Sequence, residues 1–182
     1  MTSSSTAVFR LQKDVKEVVQ RYGYNSDNPP IFVATVDNAV DHVYALVLGP
    51  PDTPYARCPY IFEFRCPAAY PNAPPEVRIV STAYGTVRHN PNLYAGGKVC
   101  LSILGTWRGE RGGSESWRSS YSIGYVLQAI QAMVLTSEPY HNEPGFDKDA
   151  LAALGTSGQC PPHSFGYKIQ SSSSASPSPA KA

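Results

Sequence analysis

Two amphipathic stripes with four short β-prone runs strung between them leave this 182-residue chain few ways to fold. Leu11, Val15, Val18, Val19 and Tyr22 recur at i, i+4, i+7, i+8 and i+11, and Gly23 stands where a helix would stop. The spacing predicts a helix over 7–22, with Arg10, Lys13, Lys16 and Arg21 on its polar side. Ile123, Val126, Leu127, Ile130 and Val134 repeat the pattern further on, with Ser120 or Ser122 placed to cap the helix. Between the stripes, 31–36, 43–48, 60–65 and 77–80 are rich in β-branched and aromatic residues and separated by turn-forming clusters. Links this short imply an antiparallel meander. Tyr60, Phe62 and Phe64 alternate with Ile61, Glu63 and Arg65, so one face of the third strand should be buried. The class is α+β, with the second and more apolar helix packed across the sheet.

One core accounts for this length, and a 42% hydrophobic fraction agrees with it. The expected division is a flexible stretch over 1–6, a core domain over 7–160 and a Ser/Pro/Ala-rich disordered tail over 161–182. Asp147 could cap a short helix ending at Gly155, and longer C-terminal helices are not evident. A formal charge of +1 gives no reason to expect binding to nucleic acid or a membrane surface. With no signal-peptide pattern and no bilayer-length apolar run, the expectation is an intracellular, cytoplasmic and potentially nuclear monomer. Cys58, Cys66, Cys100 and Cys160 are widely spaced with no Cys-x-x-Cys, which signals neither a disulfide framework nor a metal site.

The chemistry concentrates in 90–107. An Asn-Pro-Asn turn (90–92), the Gly96-Gly97 pair and then Cys100 entering an apolar run place one thiol at the end of a shaped loop, with a side-chain amide nearby. That is a nucleophile with an oxyanion partner. Cys58, Cys66 and Cys160 lack such a setting and read as small buried hydrophobes. Asn92 taken alone could equally be an Asx-turn residue. The charged and glycine-rich 108–115 stretch reads as a mobile loop beside Cys100.

The stretch resembles the active-site signature of the ubiquitin-conjugating enzymes: His-Pro-Asn, a glycine-containing loop, and Cys-Leu eight residues after the Asn, a spacing that Asn92 and Cys100 keep. The continuation through Trp107, together with the segment 138–146, looks most like the Z-type branch, with the giant hybrid members further off. The resemblance implies the ubiquitin-conjugating (UBC) fold, with its C-terminal helices reduced or absent here. It implies a transferase that takes ubiquitin, or a ubiquitin-like modifier, from an activating enzyme as a Cys100 thioester and passes it to a substrate lysine or a ligase. No cofactor is bound directly, since ATP is used by the activating enzyme upstream. It further implies that Asn92 supplies an oxyanion donor or shapes the loop, that Glu143 orients or deprotonates the incoming lysine, and that Arg10, Lys13 and Lys16 help dock the activating enzyme. Ser102, Tyr94 and His141 would line the groove. Asn90 replaces the signature histidine, usually a structural residue. Asn72 stands where many members carry a ligase-contacting phenylalanine, and Trp117-Arg118-Ser119 where Ser-Pro-Ala is common; ordinary ligase contacts are therefore in question.

Two other readings compete. A catalytically weak or inactive UBC-fold scaffold would fit the shortened C-terminus, although such variants generally lack the cysteine. A cysteine hydrolase would need His89 or His141 as base, in an order and spacing that match no such family.

Overall fold

The computed structural model describes residues 5–23, 29–106 and 116–142. Helix α1 (Ser5–Tyr22) leads into strands β1 (Ile31–Val36), β2 (Ala39–Leu48), β3 (Pro59–Arg65) and β4 (Glu76–Ile79). These form one antiparallel sheet in the order β1-β2-β3-β4. Helix α2 (Ile123–Ala129) follows the loop that carries Cys100. The described part is the expected helix, meander and second helix. Glu143, the expected short helix from Asp147, the C-terminal tail and all of 107–115 lie outside the described residues.

Two boundaries moved for local reasons. Asn38 sits at φ 63°, which turns the chain in two residues, so β2 resumes at Ala39 rather than at Val43. Helix α1 begins at Ser5, inside the stretch expected to be flexible.

The inward stripe of α1 is Ala7, Leu11, Asp14 and Val18, at i, i+4, i+7 and i+11. Apolarity alone placed Val15 and Val19 on it; Val15 is half-buried and Val19 is exposed. A carboxylate takes the inward position because its charge is answered there. Arg10 Nε donates to Asp14 Oδ1 (2.8 Å), and the buried Tyr70 hydroxyl donates to Asp14 Oδ2. Arg10 also donates from Nη1 to the Ser119 carbonyl (2.9 Å) and from Nη2 to that of Tyr121 (2.7 Å). Trp117 Nε1 closes the knot on the Pro71 carbonyl at 2.6 Å, beside Tyr70 and Tyr121. This knot ties α1, the proline-rich loop with its cis Tyr70-Pro71 bond, and the lead-in to α2 into one unit.

In β3, Tyr60, Phe62 and Phe64 are buried as their alternation requires. On the opposite face Glu63 accepts from Arg65 and pairs with His42 Nε2 at 2.7 Å. Burial works against its charged form, but those two hydrogen bonds outweigh it and hold the carboxyl below its ordinary range.

Ser122 is the N-cap of α2, accepting from Tyr125 N at 3.2 Å. Gly124 lets α2 approach α1: a Cβ there would lie 3.1 Å from Val18 Cγ2. From Ile130 to Val134 the helix widens to a π turn, closed by Leu135 N to the Ile130 carbonyl at 3.0 Å. The 3.6-residue pattern had predicted one uninterrupted helix.

Cys58 is disulfide-bonded, contrary to the buried-thiol expectation. Sequence spacing cannot encode a cross-link that depends on juxtaposition in space. Cys66 and Cys100 are free and buried. Burial, with Asp14 and Asp41 nearby, pushes the Cys66 thiol up to about 12, so it stays protonated and unreactive.

Candidate active site

The site is assembled from a turn that side chains hold together and a loop suspended from the last strand. Asn90 Oδ1 accepts from the backbone N–H groups of Asn92 and Leu93, each at 2.9 Å, which makes an Asx turn through Pro91. Its Nδ2 donates to the Val134 carbonyl at 3.0 Å, reaching the end of the π turn 44 residues away. The expected structural part of the signature histidine is thus filled by an amide that satisfies three backbone groups. Leu93, fully buried, pins the turn to the core, and its carbonyl accepts from His89 N at 3.1 Å.

From this turn the chain runs to Gly97, whose carbonyl accepts from Ile79 N at 2.9 Å. Gly97 has φ 92°, and a Cβ would come within 3.0 Å of the Ile79 carbonyl oxygen, so only glycine fits this attachment to β4. Arg78 Nη2 adds a bond to the Gly96 carbonyl at 3.1 Å.

Cys100 and Asn92 then face one another across two hydrogen bonds. Cys100 N donates to the Asn92 carbonyl (2.9 Å), and Asn92 Nδ2 donates to the Cys100 carbonyl (3.1 Å). The reverse amide orientation would set oxygen against oxygen. Asn92 Oδ1 is buried with no partner among the described residues, an arrangement that typically costs about 1–3 kcal/mol. The amide is therefore held where its NH2 is useful, not where its oxygen is content.

Beyond Cys100, a 3₁₀ turn over Ser102–Leu104 ends at Gly105 in the left-handed region (φ 68°) and brings Thr106 back against the nucleophile. Leu101 N donates to Thr106 Oγ1 at 2.9 Å, and Cys100 Sγ donates to the Thr106 carbonyl at 3.5 Å. The backbone N–H groups of Cys100 and Leu101 are thus both occupied. Asn92 Nδ2 carries a second amide hydrogen that a developing oxyanion could accept.

On the outer side, Arg88 donates from Nε to the Asn90 carbonyl (3.1 Å) and from Nη2 to that of Pro91 (2.6 Å). Its guanidinium lies 3.9 Å from the Tyr94 ring centre, and Lys98 Nζ lies 5.4 Å from the same ring. Tyr94 is thus enclosed by two cations at the edge of the loop. His89 turns away from Cys100: its Nε2 lies 2.8 Å from the Ser81 carbonyl, and its ring packs edge-on against Tyr60. It offers no base to the thiol.

Of the remaining expected site residues, Lys13 and Lys16 are exposed on α1. Arg10 has all three guanidinium nitrogens engaged within the chain. Phe9, 73% exposed at i−4 to Lys13 and i−7 to Lys16, belongs to the same open face, which the charge pattern of the helix alone does not disclose. Glu143 and the side chain of His141 lie outside the described residues. Sequence reasoning also missed Thr106 and Arg88; the signal for Thr106 was a hydroxyl six residues after the cysteine, just past a glycine. Among the described residues no cluster of three or more His, Cys, Asp or Glu side chains could hold a metal ion, and no helix is long and apolar enough to cross a membrane.

The sequence profile of the family described as "Ubiquitin-conjugating enzyme" matches residues 10–159. The chain is 42% identical over 147 residues to ubiquitin-conjugating enzyme E2 Z of Danio rerio, covering 81% of this chain and 42% of that protein. Against the Homo sapiens E2 Z it is 42% identical over 142 residues, covering 78% of this chain and 37% of that one. A human dual E2 ubiquitin-conjugating enzyme/E3 ubiquitin-protein ligase matches at 41% identity, over 72% of this chain and 3% of its own length. The chain thus spans less than half the length of these relatives. Among solved structures, a ubiquitin conjugating enzyme E2 from Plasmodium falciparum superposes with a TM-score of 0.54, covering 71% of this chain and 96% of that one at 21% identity, and shows the shared fold. With the profile matched over most of its length and the signature Asn and Cys in their places, the chain belongs to the ubiquitin-conjugating enzyme family.

Proposed function

We propose that Cys100 accepts the C-terminal glycine of ubiquitin, or of a ubiquitin-like modifier, from an activating enzyme and passes it to a lysine amine or to a ligase. In the first transfer the Cys100 sulfur attacks the activating enzyme's thioester carbonyl, and that enzyme's thiol leaves as the new thioester forms. In the second, an amine attacks the Cys100 thioester; the amide forms, the amine gives up a proton and Cys100 is released as thiol. Covalent catalysis divides one transfer into two exchanges, and neither needs a histidine-activated thiolate.

The observation that carries this reading is the reciprocal bonding of Asn92 and Cys100, which ties a side-chain amide to the backbone of the nucleophile, while among the described residues His89 is bonded to the Ser81 carbonyl instead of the thiol. A hydrolase needs the base; an acyl carrier does not. Within the same reading, Glu143 orients the incoming amine. The exposed face of α1, with Lys13, Lys16 and Phe9, meets the activating enzyme while Arg10 holds the helix in place.

Mixing the protein with activating enzyme, ATP and ubiquitin, and separating the products without reductant, tests the proposal directly. The parent should form a reductant-sensitive adduct. Cys100→Ser should form an ester that survives thiol reductant, and Cys100→Ala none. An adduct on the alanine variant would overturn the assignment.

A further inference from the structure

Resting on that reading, we propose that the Thr106 side chain is a positioning residue for acyl transfer: its hydroxyl locks the backbone on both sides of Cys100 and so sets where the sulfur points. Thr106 Oγ1 lies 2.7 Å from the Val99 carbonyl, accepts from Leu101 N at 2.9 Å and lies 3.2 Å from the Leu101 carbonyl. A hydroxyl has one proton to give. The shortest contact assigns that proton to Val99, and the Leu101 carbonyl is served instead by the backbone N–H of Thr106 at 3.3 Å. The result is a consistent set in which one residue binds Val99 and Leu101, while its carbonyl receives the thiol of the residue between them at 3.5 Å.

Three consecutive residues centred on the nucleophile therefore answer to one side chain and its own peptide groups. Gly105 in the left-handed region is what turns Thr106 back to reach them. Asn92 grips the Cys100 carbonyl and N–H from the other side. Between the two clamps the Cys100 backbone has no unpaired polar group, and its side chain direction follows from the backbone. Reaction requires the sulfur within near-attack distance of the thioester carbonyl, and a displacement of about 1 Å can cost 10²-fold in rate. Thr106 touches neither the substrate nor the reacting atoms in this arrangement, so its effect must come through Cys100.

The test compares Thr106→Val, which keeps the shape and loses the hydroxyl, with Thr106→Ser, which keeps the hydroxyl and loses the methyl. In the charging reaction, Thr106→Val should lower kcat about tenfold with KM for the activating enzyme unchanged, and slow discharge to lysine by a similar factor. Thr106→Ser should stay within about twofold of the parent. A second readout needs no activating enzyme: iodoacetamide alkylation of Cys100, followed by peptide mass, should be faster in Thr106→Val as the clamped loop opens around a buried residue, 3% exposed in the parent. Transfer falling while alkylation rises, in protein whose circular dichroism matches the parent and whose unfolding midpoint lies well above the assay conditions, separates positioning from loss of fold. The proposal is overturned if Thr106→Val transfers and alkylates like the parent, or if Thr106→Ser is as impaired as Thr106→Val. If the parent itself fails to charge, the thioester reading falls, and the alkylation comparison still decides whether Thr106 holds Cys100 in place.

Discussion

Two polar clusters hold this protein together, and they are built on opposite principles. The knot of Arg10, Asp14, Tyr70 and Trp117 centres on an ion pair within α1, whose two partners and Trp117 reach elements distant in sequence through hydrogen bonds and aromatic contacts. The loop around Cys100 is held by Asn90, Asn92 and Thr106, neutral side chains whose bonds all go to backbone groups, with Arg88 bracing it from outside. Charge suits a tie whose task is to keep large elements registered, because removing either partner is expensive. Neutral amides and hydroxyls suit a site that must accept a carbonyl carbon and later a transient oxyanion. They fix geometry without placing a full charge that would favour one stage over the other.

The largest expected effect tests the site half of this contrast. Asn92→Ala should slow discharge to lysine by about 10²–10³, since the donor facing the developing oxyanion is lost, while charging slows far less. Stability should change by no more than about 1 kcal/mol, because the substitution also removes a buried oxygen that has no partner among the described residues. A single-turnover discharge assay and a urea midpoint, taken on the same preparation, decide the matter. Equal slowing of both transfers, with a large loss of stability, would make Asn92 a fold residue and erase the distinction between the clusters.

Asp14→Ala should show the reverse. It strands the Arg10 guanidinium and the Tyr70 hydroxyl, and breaking a buried pair from one side costs about 3 kcal/mol at the low end of the usual range. The low end applies because the Arg10 side chain remains 24% exposed. Urea unfolding should record that loss, while protein that remains folded charges Cys100 at the parent rate. A loss below about 1 kcal/mol would mean that the pair is ornamental and that apolar packing alone registers α1.

These clusters differ as much in how far the sequence disclosed them. The helix, the meander and the alternation in β3 were legible because each follows from apolar spacing, which burial enforces directly. Asp14 was not, because an apolar count discards a carboxylate even when Arg10, at i−4, and Tyr70, in another loop, make the inward position its best place. The π turn escaped for a related reason: widening by one residue changes the face presented near Val134, whose carbonyl accepts from Asn90, 44 positions away, a contact that apolar spacing does not record. Within the site, the spacing of Asn92 and Cys100 marked both residues. Their reciprocal hydrogen bonds depend on the Asx turn that Asn90 holds, and the role of Thr106 on a left-handed Gly105 that turns the chain back, and no motif spacing states the direction of a turn.

The smallest expected effect concerns His89, a titrating side chain one residue from the neutral turn. Burial against Tyr60 disfavours its charged form and outweighs the hydrogen bond to the Ser81 carbonyl, so its pKa lies below the ordinary value. In the unfolded chain a histidine titrates near its ordinary value, about 6.5. Above that pH both states are neutral and the contribution to stability is complete. As pH falls from there toward and through the lower folded pKa, the unfolded chain binds the proton first, and stability is lost by about 1.4 kcal/mol for each unit separating the two values. Urea midpoints at pH 7.5, 6.5 and 5.5 should therefore decline for the parent. His89→Gln, whose amide can still donate to Ser81, should decline less, and the difference between the two curves removes the contribution of the other histidines. Should the curves run parallel down to pH 5.5, His89 would titrate alike in both states, and the Cys100 loop would have no pH-sensitive neighbour at this position. A decline confined to the parent, with discharge measured at matched folded fraction staying constant, would instead show the neutral clamp holding its geometry while the fold beneath it loosens.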